Sequence, residues 1–301
     1  MIMEEESFFH DGIRYVKCKE GLLLEKADDT EEIRVPDEID GELVRWAAPY
    51  AFARTNVKRI HLPRQMESIG NYIFYRCFGL HSLSFSDTLC DVGSGAFNGC
   101  GVRELEIDFY RGEKSVLKFL ADEIRYALYV TLRYHHTDGR QQTARLLFPE
   151  HYEEAVENTP ARIVETHYHG SGGDYRQCFY NKELNYGEYD SLFPRAIAEE
   201  EPEMTVQLAA LRLYTPYKLG GKAKVQYESF LRDHIACAGR VYVEKADAHM
   251  LRFFGREKYW NKEGLDEAID RSSEEGRTEL MGLLLDIRRS MFPRKKKVFE
   301  L

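Results

Sequence analysis

The strongest constraint in this sequence is a threefold internal repeat within residues 44–107. Three phenylalanines at equivalent places lie 22 and then 23 residues apart, and each is followed by three apolar residues spaced three and then two residues apart. The repeating positions are Phe52, Val57, Ile60 and Leu62, then Phe74, Leu80, Leu83 and Phe85, then Phe97, Val102, Leu105 and Ile107. A unit of this size buries about six apolar side chains at about 1.5–3 kcal/mol each, while ordering its roughly two dozen residues costs about 1–2 kcal/mol per residue. One unit alone is therefore unstable, and the repeat predicts a solenoid of stacked units.

The last apolar residues of each unit alternate with polar residues, which predicts a short strand. Because alternate residues of a strand point to opposite faces, the intervening polar side chains should point outward. These outward residues are Arg59, His61, Ser82, Ser84, Glu104 and Glu106. Their charge changes from basic through neutral to acidic along the three units. We predict that this face binds a protein partner, and a solvated face without a partner is the alternative hypothesis.

The segment that leads into the repeats and the repeating units themselves both resemble a known family. The run from Ile33 to Gly41, followed by Val44 and by Ala51-Phe52, resembles the first unit of the BspA-like leucine-rich repeats. Residues 69–77 and 92–100 are similar to the repeating unit of that family. The resemblance extends over about residues 8–110. It implies a leucine-rich-repeat solenoid that serves in binding or adhesion and has no shared catalytic residues, and many members of the family are secreted.

The pattern changes after the repeats. Residues 113–125 have a helical apolar face, and Asp138-Gly139 joins two alternating runs that predict a β-hairpin. From residue 150 onward the periodicity predicts helices, starting with one from Glu150 to Val156. The predicted domains are 1–112, a repeat domain with an N-terminal hairpin cap, 113–149, a helix and hairpin that serve as connector or cap, and 150–301, a helical domain.

The helical region contains a second resemblance. Residues 203–214 predict a central, buried helix, and an apolar stripe over 223–238 predicts the next one. Residues 265–285 resemble the helix, glycine turn and helix of an ankyrin repeat, although the usual Thr-Pro-Leu-His is missing. The predicted fold class is therefore α+β, with a short right-handed leucine-rich-repeat solenoid followed by an all-α, ankyrin-like domain.

Composition narrows the possible functions. The net charge of -9 disfavours nucleic acid as a partner, because its phosphates require a dense basic surface. No stretch reaches the 18 apolar residues of a membrane span, and the acidic start lacks the pattern of a secretory signal. We therefore predict a cytoplasmic protein with no membrane partner. The six cysteines form no CxxC pair, and Cys77 and Cys100, at equivalent places in adjacent units, are expected to be free thiols.

Residues 165–178 contain the candidate chemistry. His167, His169 and Cys178 are residue types that bind zinc, and the glycines of 170–173 with Arg176 could form an anion site. A structural loop is the leading interpretation of this segment. We therefore predict a non-enzymatic interaction protein with an unknown protein partner, no cofactor and no metal. The alternative is a metal- or anion-dependent enzyme centred on residues 167–178.

Overall fold

The computed structural model describes residues 6–158 and 163–293, with side chains described outside residues 153–169. The chain divides into two compact units, Met1–Tyr189 and Asp190–Leu301. The strands of the first unit are β1 (Ser7–His10), β2 (Ile13–Cys18), β3 (Gly21–Ala27), β4 (Glu32–Arg34), β5 (Glu38–Ile39), β6 (Glu42–Ala47), β7 (Arg59–His61), β8 (Ser68–Ile69), β9 (Ser82–Ser86), β10 (Asp91–Val92), β11 (Glu104–Phe109), β12 (Leu128–His135), β13 (Gln141–Phe148), β14 (Tyr152–Asn158), β15 (Ile163–His169), β16 (Phe179–Tyr180) and β17 (Glu183–Leu184). Its helices are α1 (Leu117–Glu123), α2 (Gly172–Tyr175) and α3 (Tyr186–Ser191), which continues past the division.

The first unit is a β-solenoid of about five turns, as the repeat predicts. Sheet A has the order β1-β2-β3-β6-β8-β10, with β5 paired to β6, and sheet B has the order β13-β12-β11-β9-β7-β4. In sheet B, β4, β7, β9, β11 and β12 pair in parallel. Each coil therefore adds one strand to sheet B, and equivalent residues of successive coils lie side by side.

The core of the solenoid consists of columns of equivalent apolar residues. Ile60, Leu83 and Leu105 are paired across sheet B, and all three are buried. The ring of Phe74 lies 5.6 Å from that of Phe52 and 5.4 Å from that of Phe97, measured between centroids. The predicted inward positions thus stack in columns, which shield from water the apolar faces that a single coil would expose.

A column of small polar side chains joins the coils next to the phenylalanines. The Sγ atoms of Cys77 and Cys100 donate to the carbonyl oxygens of Phe52 and Phe74, at 3.0 and 2.9 Å. Thr55 holds the equivalent place in the preceding coil and donates to the Phe52 carbonyl at 2.8 Å. Both cysteines are free thiols, and burial raises the pKa of Cys100 to about 12. This position requires a small donor that can reach a backbone carbonyl.

Extra elements cover both ends of the solenoid. At the amino end, β1, β2 and β3 pair antiparallel and extend sheet A, in agreement with the predicted hairpin cap. At the other end, β12 and β13 form the predicted hairpin. The Tyr189 hydroxyl donates to the Leu147 carbonyl at 2.7 Å and accepts from the Leu147 amide at 3.1 Å. This side chain therefore satisfies backbone groups of β13, the edge strand of sheet B.

The helix predicted from Glu150 to Val156 is wrong. Residues Tyr152–Asn158 form β14, which pairs antiparallel with β15. The glutamates and alanine of this stretch favour a helix locally, but β15 begins with the β-branched pair Ile163-Val164, and pairing with that strand outweighs the local preference. The compact units also divide at Tyr189, forty residues beyond the predicted start of the helical domain at residue 150.

The second unit is helical. Its helices are α4 (Phe193–Glu199), α5 (Pro202–Tyr214), α6 (Gly221–Asp233), α7 (Ile235–Glu244), α8 (Ala248–Arg256), α9 (Lys262–Glu274) and α10 (Thr278–Met291). They form successive hairpins, in which α5 contacts α7, α7 contacts α9 and α8 contacts α10. Helix α5 is buried along most of its length, as predicted. The stripe over 223–238 belongs to two helices that meet at His234, so the prediction of a single helix is wrong there.

Candidate functional site

The six outward residues predicted as a binding face lie on three neighbouring strands of sheet B. The backbone register pairs Arg59 with Ser82 and Ser82 with Glu104. It pairs His61 with Ser84 and Ser84 with Glu106. The six side chains thus form two rows that cross β7, β9 and β11. We call these residues, with the alternate residues of β4 and β12 that continue the rows, the outer face of sheet B.

At the basic end of the outer face, Glu32 of β4 pairs with two arginines. Glu32 lies beside Arg59 in the register, and its carboxylate accepts from the Arg59 guanidinium at 2.5 Å and from the Arg34 guanidinium at 2.8 Å. The Arg59 hydrogen bond, with that of Arg34, holds the pKa of Glu32 below its ordinary range. Nδ1 of His61 lies 2.6 Å from the Ser84 hydroxyl. Burial lowers the pKa of His61, and the Arg34 charge adds to that effect.

At the acidic end of the face, Arg133 of β12 pairs with two carboxylates of β11. The Arg133 guanidinium forms ion pairs with Glu106 and, at 2.9 Å, with Asp108. The other Asp108 oxygen lies 2.6 Å from Nε2 of His135. The His135 ring stacks on Tyr110 at 4.4 Å between centroids. These contacts join the ends of β11 and β12 into one polar network.

The middle of the outer face, along β9, carries short side chains. The β9 residues Ser82 and Ser84 have the smallest side chains on the two rows, and longer side chains stand on β7 and β11 on either side. Glu104 is exposed, and among the residues that the structure describes its carboxylate has no ion-pair partner. The face is therefore a shallow trough along β9, with fixed ion pairs on both sides and one exposed carboxylate.

The sequence did not identify Glu32, Asp108, Arg133 and His135 as members of this face. Glu32, Arg133 and His135 lie on strands outside the recognised units, since β4 precedes the first unit and β12 follows the last one. Asp108 lies on β11, directly after Ile107, the last residue of the recognised pattern. The alternation of Leu128, Val130 and Leu132 with polar residues was a usable signal. Aligning Val130 with Leu105, its partner in the register, places Arg133 beside Asp108.

The segment proposed for metal or anion binding has a different structure from the predicted glycine-rich loop. His167 and His169 belong to β15, and their side chains lie outside the described residues. The residues that follow form the short helix α2, in place of an open loop. Cys178 is buried, with Sγ 3.6 Å from the Asp174 carbonyl oxygen. A metal site formed by His167, His169 and Cys178 stays a prediction.

Arg176 is buried and has a structural role. Its Nε donates to the Ala121 carbonyl at 2.7 Å, and its two terminal nitrogens donate to four further backbone carbonyls. Those four acceptors are the carbonyls of Pro149, Gly172, Ile124 and Tyr126, at 2.5, 2.9, 2.9 and 2.9 Å. A guanidinium has five N–H donors, so all of them are used. The proposed role of Arg176 at an anion site is therefore corrected, because the side chain fastens the carboxyl end of α1 to the segment around α2.

Within the described part of the chain, no group of three or more histidine, cysteine, aspartate or glutamate side chains is arranged to hold a metal ion. None of the helices described is both long enough and apolar enough to cross a bilayer.

Comparisons with known proteins identify the repeats. Residues 47–116 match the family model described as "BspA type Leucine rich repeat region (6 copies)". None of the curated proteins compared matches the chain. The solved structures that are similar to this chain include a leucine-rich repeat protein from Bacteroides capillosus, with 20% identity, a TM-score of 0.32, and coverage of 34% of this chain and 83% of that one.

Two further solved structures are similar over about the same share of the chain. A leucine rich cell surface protein from Faecalibacterium prausnitzii has 14% identity and a TM-score of 0.28, with 35% of this chain and 33% of that chain covered. A leucine rich repeat protein from T. pallidum has 14% identity and a TM-score of 0.24, with 34% and 71% covered. The family match, like these similarities, leaves most of the chain without a counterpart.

Proposed function

From the BspA-type leucine-rich repeat region that residues 47–116 form, we propose that this chain is a non-enzymatic protein-interaction scaffold. Its binding surface is the outer face of sheet B. The observation that carries the proposal is the alignment of outward polar residues in two rows across parallel strands of successive coils. Such rows present a regular, rigid pattern of hydrogen-bonding groups, which is the kind of surface that solenoids offer to proteins.

The ion pairs of the face support binding by preorganisation. Glu32 and Arg133 hold the long side chains of Arg59 and Glu106 in fixed positions. Binding then costs this chain less side-chain entropy, by about 0.5–1.5 kcal/mol for each side chain that is already ordered. The fixed pairs also leave no excess of basic charge, which favours a protein partner over nucleic acid.

The trough along β9 is where we expect the partner to make its central contacts. Ser82 and Ser84 leave room for side chains of the partner, and the exposed Glu104 carboxylate supplies an acceptor beside them. Energetically important contacts cluster near the centre of an interface, where surrounding groups exclude water. The paired residues on β4, β7 and β12 would form that surrounding rim.

The experiment is an affinity capture from lysate of the source cell, quantified by mass spectrometry. The immobilised full chain is compared with Glu104→Lys and with Ser82→Trp, which change the trough and leave the ion pairs in place. Glu267→Lys on α9 is the matched control, because it makes the same charge change at an exposed helical position. We expect at least one protein to bind the wild type and the control equally, and to be recovered about tenfold less with either trough variant. Partners that survive both trough variants would contradict the proposal.

We also propose that the helical unit is an ankyrin-like array, and that the chain works in a reducing compartment such as the cytoplasm. The repeated hairpins of α7 with α8 and of α9 with α10 support the first point, since equivalent helices contact one another. The thiols of Cys77 and Cys100 support the second, because each donates to a backbone carbonyl and a disulfide would remove both donors. Thiol titration of protein purified without reductant tests it, and loss of these two thiols as a disulfide would contradict it.

A further inference from the structure

The turns that precede sheet B in each coil carry side chains at positions that favour glycine. Tyr50 and Tyr72 adopt φ values of 60° and 54°, and the third coil has Gly95 at the equivalent place. Four residues further on, Arg54 and Arg76 adopt φ values of 64° and 58°, and the third coil has Gly99. Left-handed backbone is unfavourable for residues with a Cβ atom. Two coils therefore hold tyrosine and arginine where glycine would fit without strain.

These tyrosines form an exposed aromatic cluster. The rings of Tyr50 and Tyr72 stack at 5.5 Å between centroids, and Tyr75 lies edge-on to both, at 6.3 and 6.0 Å. The Tyr50 side chain is 49% exposed, so the cluster lies outside the buried core. The stacked pair and the edge-on ring together present aromatic surface on the outside of two adjacent coils. Exposed aromatic surfaces are the kind that bind the proline rings of extended peptides.

Arg54 and Arg76 belong to the same two turns as the tyrosines, and the Arg76 guanidinium lies 5.3 Å from the centroid of the Tyr75 ring. Among the residues that the structure describes, neither Arg54 nor Arg76 has a carboxylate within ion-pair distance, whereas Arg59 and Arg133 of the same unit are paired. Their backbones lie in adjacent coils, since the Arg54 amide donates to the Tyr75 carbonyl at 2.8 Å. Residues 44–66 and 68–86 contain no aspartate or glutamate, in a chain with a net charge of -9. The two coils that carry Arg54 and Arg76 are thus basic in composition within an acidic protein.

We propose that Tyr50, Tyr72, Tyr75, Arg54 and Arg76, which we call the tyrosine–arginine corner, bind an acidic, proline-containing segment of a partner protein. The carboxylates of that segment pair with the two guanidinium groups, which favour carboxylates geometrically. Its prolines pack against the tyrosine rings, and an extended proline-containing chain loses little entropy on binding. The backbone strain at the corner is retained because glycine would remove the side chains that make these contacts.

The test uses the full chain and a fluorescein-labelled peptide of alternating glutamate and proline, measured by fluorescence anisotropy. Labelled peptides of alternating lysine and proline, and of glutamine and proline, are the ligand controls. We expect the Glu-Pro peptide to bind most tightly, with an affinity that falls as salt is added. If the Glu-Pro peptide binds no better than the Lys-Pro peptide, the proposal is wrong.

The sharpest variant replaces Arg54 and Arg76 with glycine, the residue of the third coil. The doubly substituted chain should bind the Glu-Pro peptide about tenfold more weakly or worse. Its thermal midpoint should rise by about 2–4 °C, because the left-handed positions are relieved. Weaker binding with higher thermal stability cannot result from misfolding. The control for loss of an arginine charge is Arg252→Gln on α8, at an exposed position of the other unit. Glutamine is used there because glycine would destabilise the helix.

Three results would overturn the proposal. The first is unchanged peptide binding by the glycine variant, and the second is an equal loss of binding by Arg252→Gln. The third is self-association of the wild type in sedimentation velocity that the glycine variant abolishes, with no binding of the peptide, since a second copy of the chain would then be the occupant. Glu104→Lys, which alters the outer face of sheet B, should leave peptide binding unchanged, so failure at one surface is distinguishable from failure at the other.

Discussion

Left-handed residues also occur in the helical unit, where they mark equivalent turns. Ala246 lies between α7 and α8 with φ 54°, and Gly276 lies between α9 and α10 with φ 66°. The residue after each donates to a carbonyl five residues earlier, from Asp247 to Tyr242 at 3.0 Å and from Arg277 to Ser272 at 2.8 Å. This is the hydrogen bond that closes a helix in the Schellman motif. The two hairpins therefore share one turn, with alanine in one copy and glycine in the other.

The shared turn gives a reciprocal prediction. Ala246→Gly should stabilise the helical unit by about 0.5–1 kcal/mol, because the left-handed conformation costs glycine less than alanine. Gly276→Ala should destabilise it by a similar amount, and a Cβ atom there would contact nothing within 4 Å, so backbone strain is the whole effect. Urea unfolding followed by circular dichroism at the helical signal measures both. A loss of stability in Ala246→Gly would show that the turns are not equivalent.

At the scale of elements, one buried ion pair fixes how the first helices of the second unit pack. Arg212 of α5 donates two hydrogen bonds to the Asp190 carboxylate, at 2.7 and 2.8 Å, and both side chains are buried. The Tyr227 hydroxyl of α6 donates to the same carboxylate at 3.0 Å. Removing one partner of such a pair leaves an uncompensated charge in the core, whereas removing both does not.

We therefore predict that Asp190→Leu and Arg212→Met each lower the free energy of unfolding by about 3–5 kcal/mol. The double variant should lose less than either single variant, because no buried charge is left unpaired. Urea titrations of the four proteins complete a double-mutant cycle. If the losses of the two single variants simply add in the double variant, the pair is not acting as a buried ion pair.

The same elements explain what the sequence could and could not predict. The coils were predictable because Phe52, Phe74 and Phe97 recur at a nearly constant spacing, which gives the length of one coil directly. The ion pairs of the outer face were not, because Glu32 with Arg59 and Glu106 with Arg133 are each 27 residues apart and meet only through the strand register. Sequence distance gives no sign of such a pairing until the strands are aligned.

Local sequence patterns also did not indicate that the side chains of two arginines are buried. Arg176 follows a run of glycines and has the type of side chain that binds anions, yet backbone carbonyls from three stretches of the chain, 121–126, 149 and 172, surround it. Arg212 likewise follows apolar helix residues with no local indication of its buried partner. Charged residues are rarely buried unless they are paired, so position along the chain favours the exposed interpretation in both cases.

At the scale of the whole molecule, the two compact units each contain one tryptophan. Trp46 lies in β6 of the solenoid, and Trp260 is buried in the helical unit. The sequence has two tryptophans in all, so Trp260→Phe and Trp46→Phe give chains in which fluorescence reports on one unit at a time. Compact units with separate cores usually unfold in separate steps, and this pair of chains makes the steps measurable.

Two glycine substitutions should move these two signals independently. Gly70→Ala places a Cβ atom 2.4 Å from the Pro49 backbone nitrogen of the preceding coil, and backbone cannot move aside cheaply, so the solenoid should lose about 1–3 kcal/mol. Gly282→Ala lies within α10 with no atom within 4 Å, and alanine should stabilise that helix by up to about 1 kcal/mol. We expect Gly70→Ala to lower the urea midpoint seen by Trp46 alone, and Gly282→Ala to raise the midpoint seen by Trp260 alone. If either substitution shifts both urea midpoints together, the two units unfold as one cooperative structure. A steric clash between coils can change the unfolding of a helix more than two hundred residues away only if the two units unfold together.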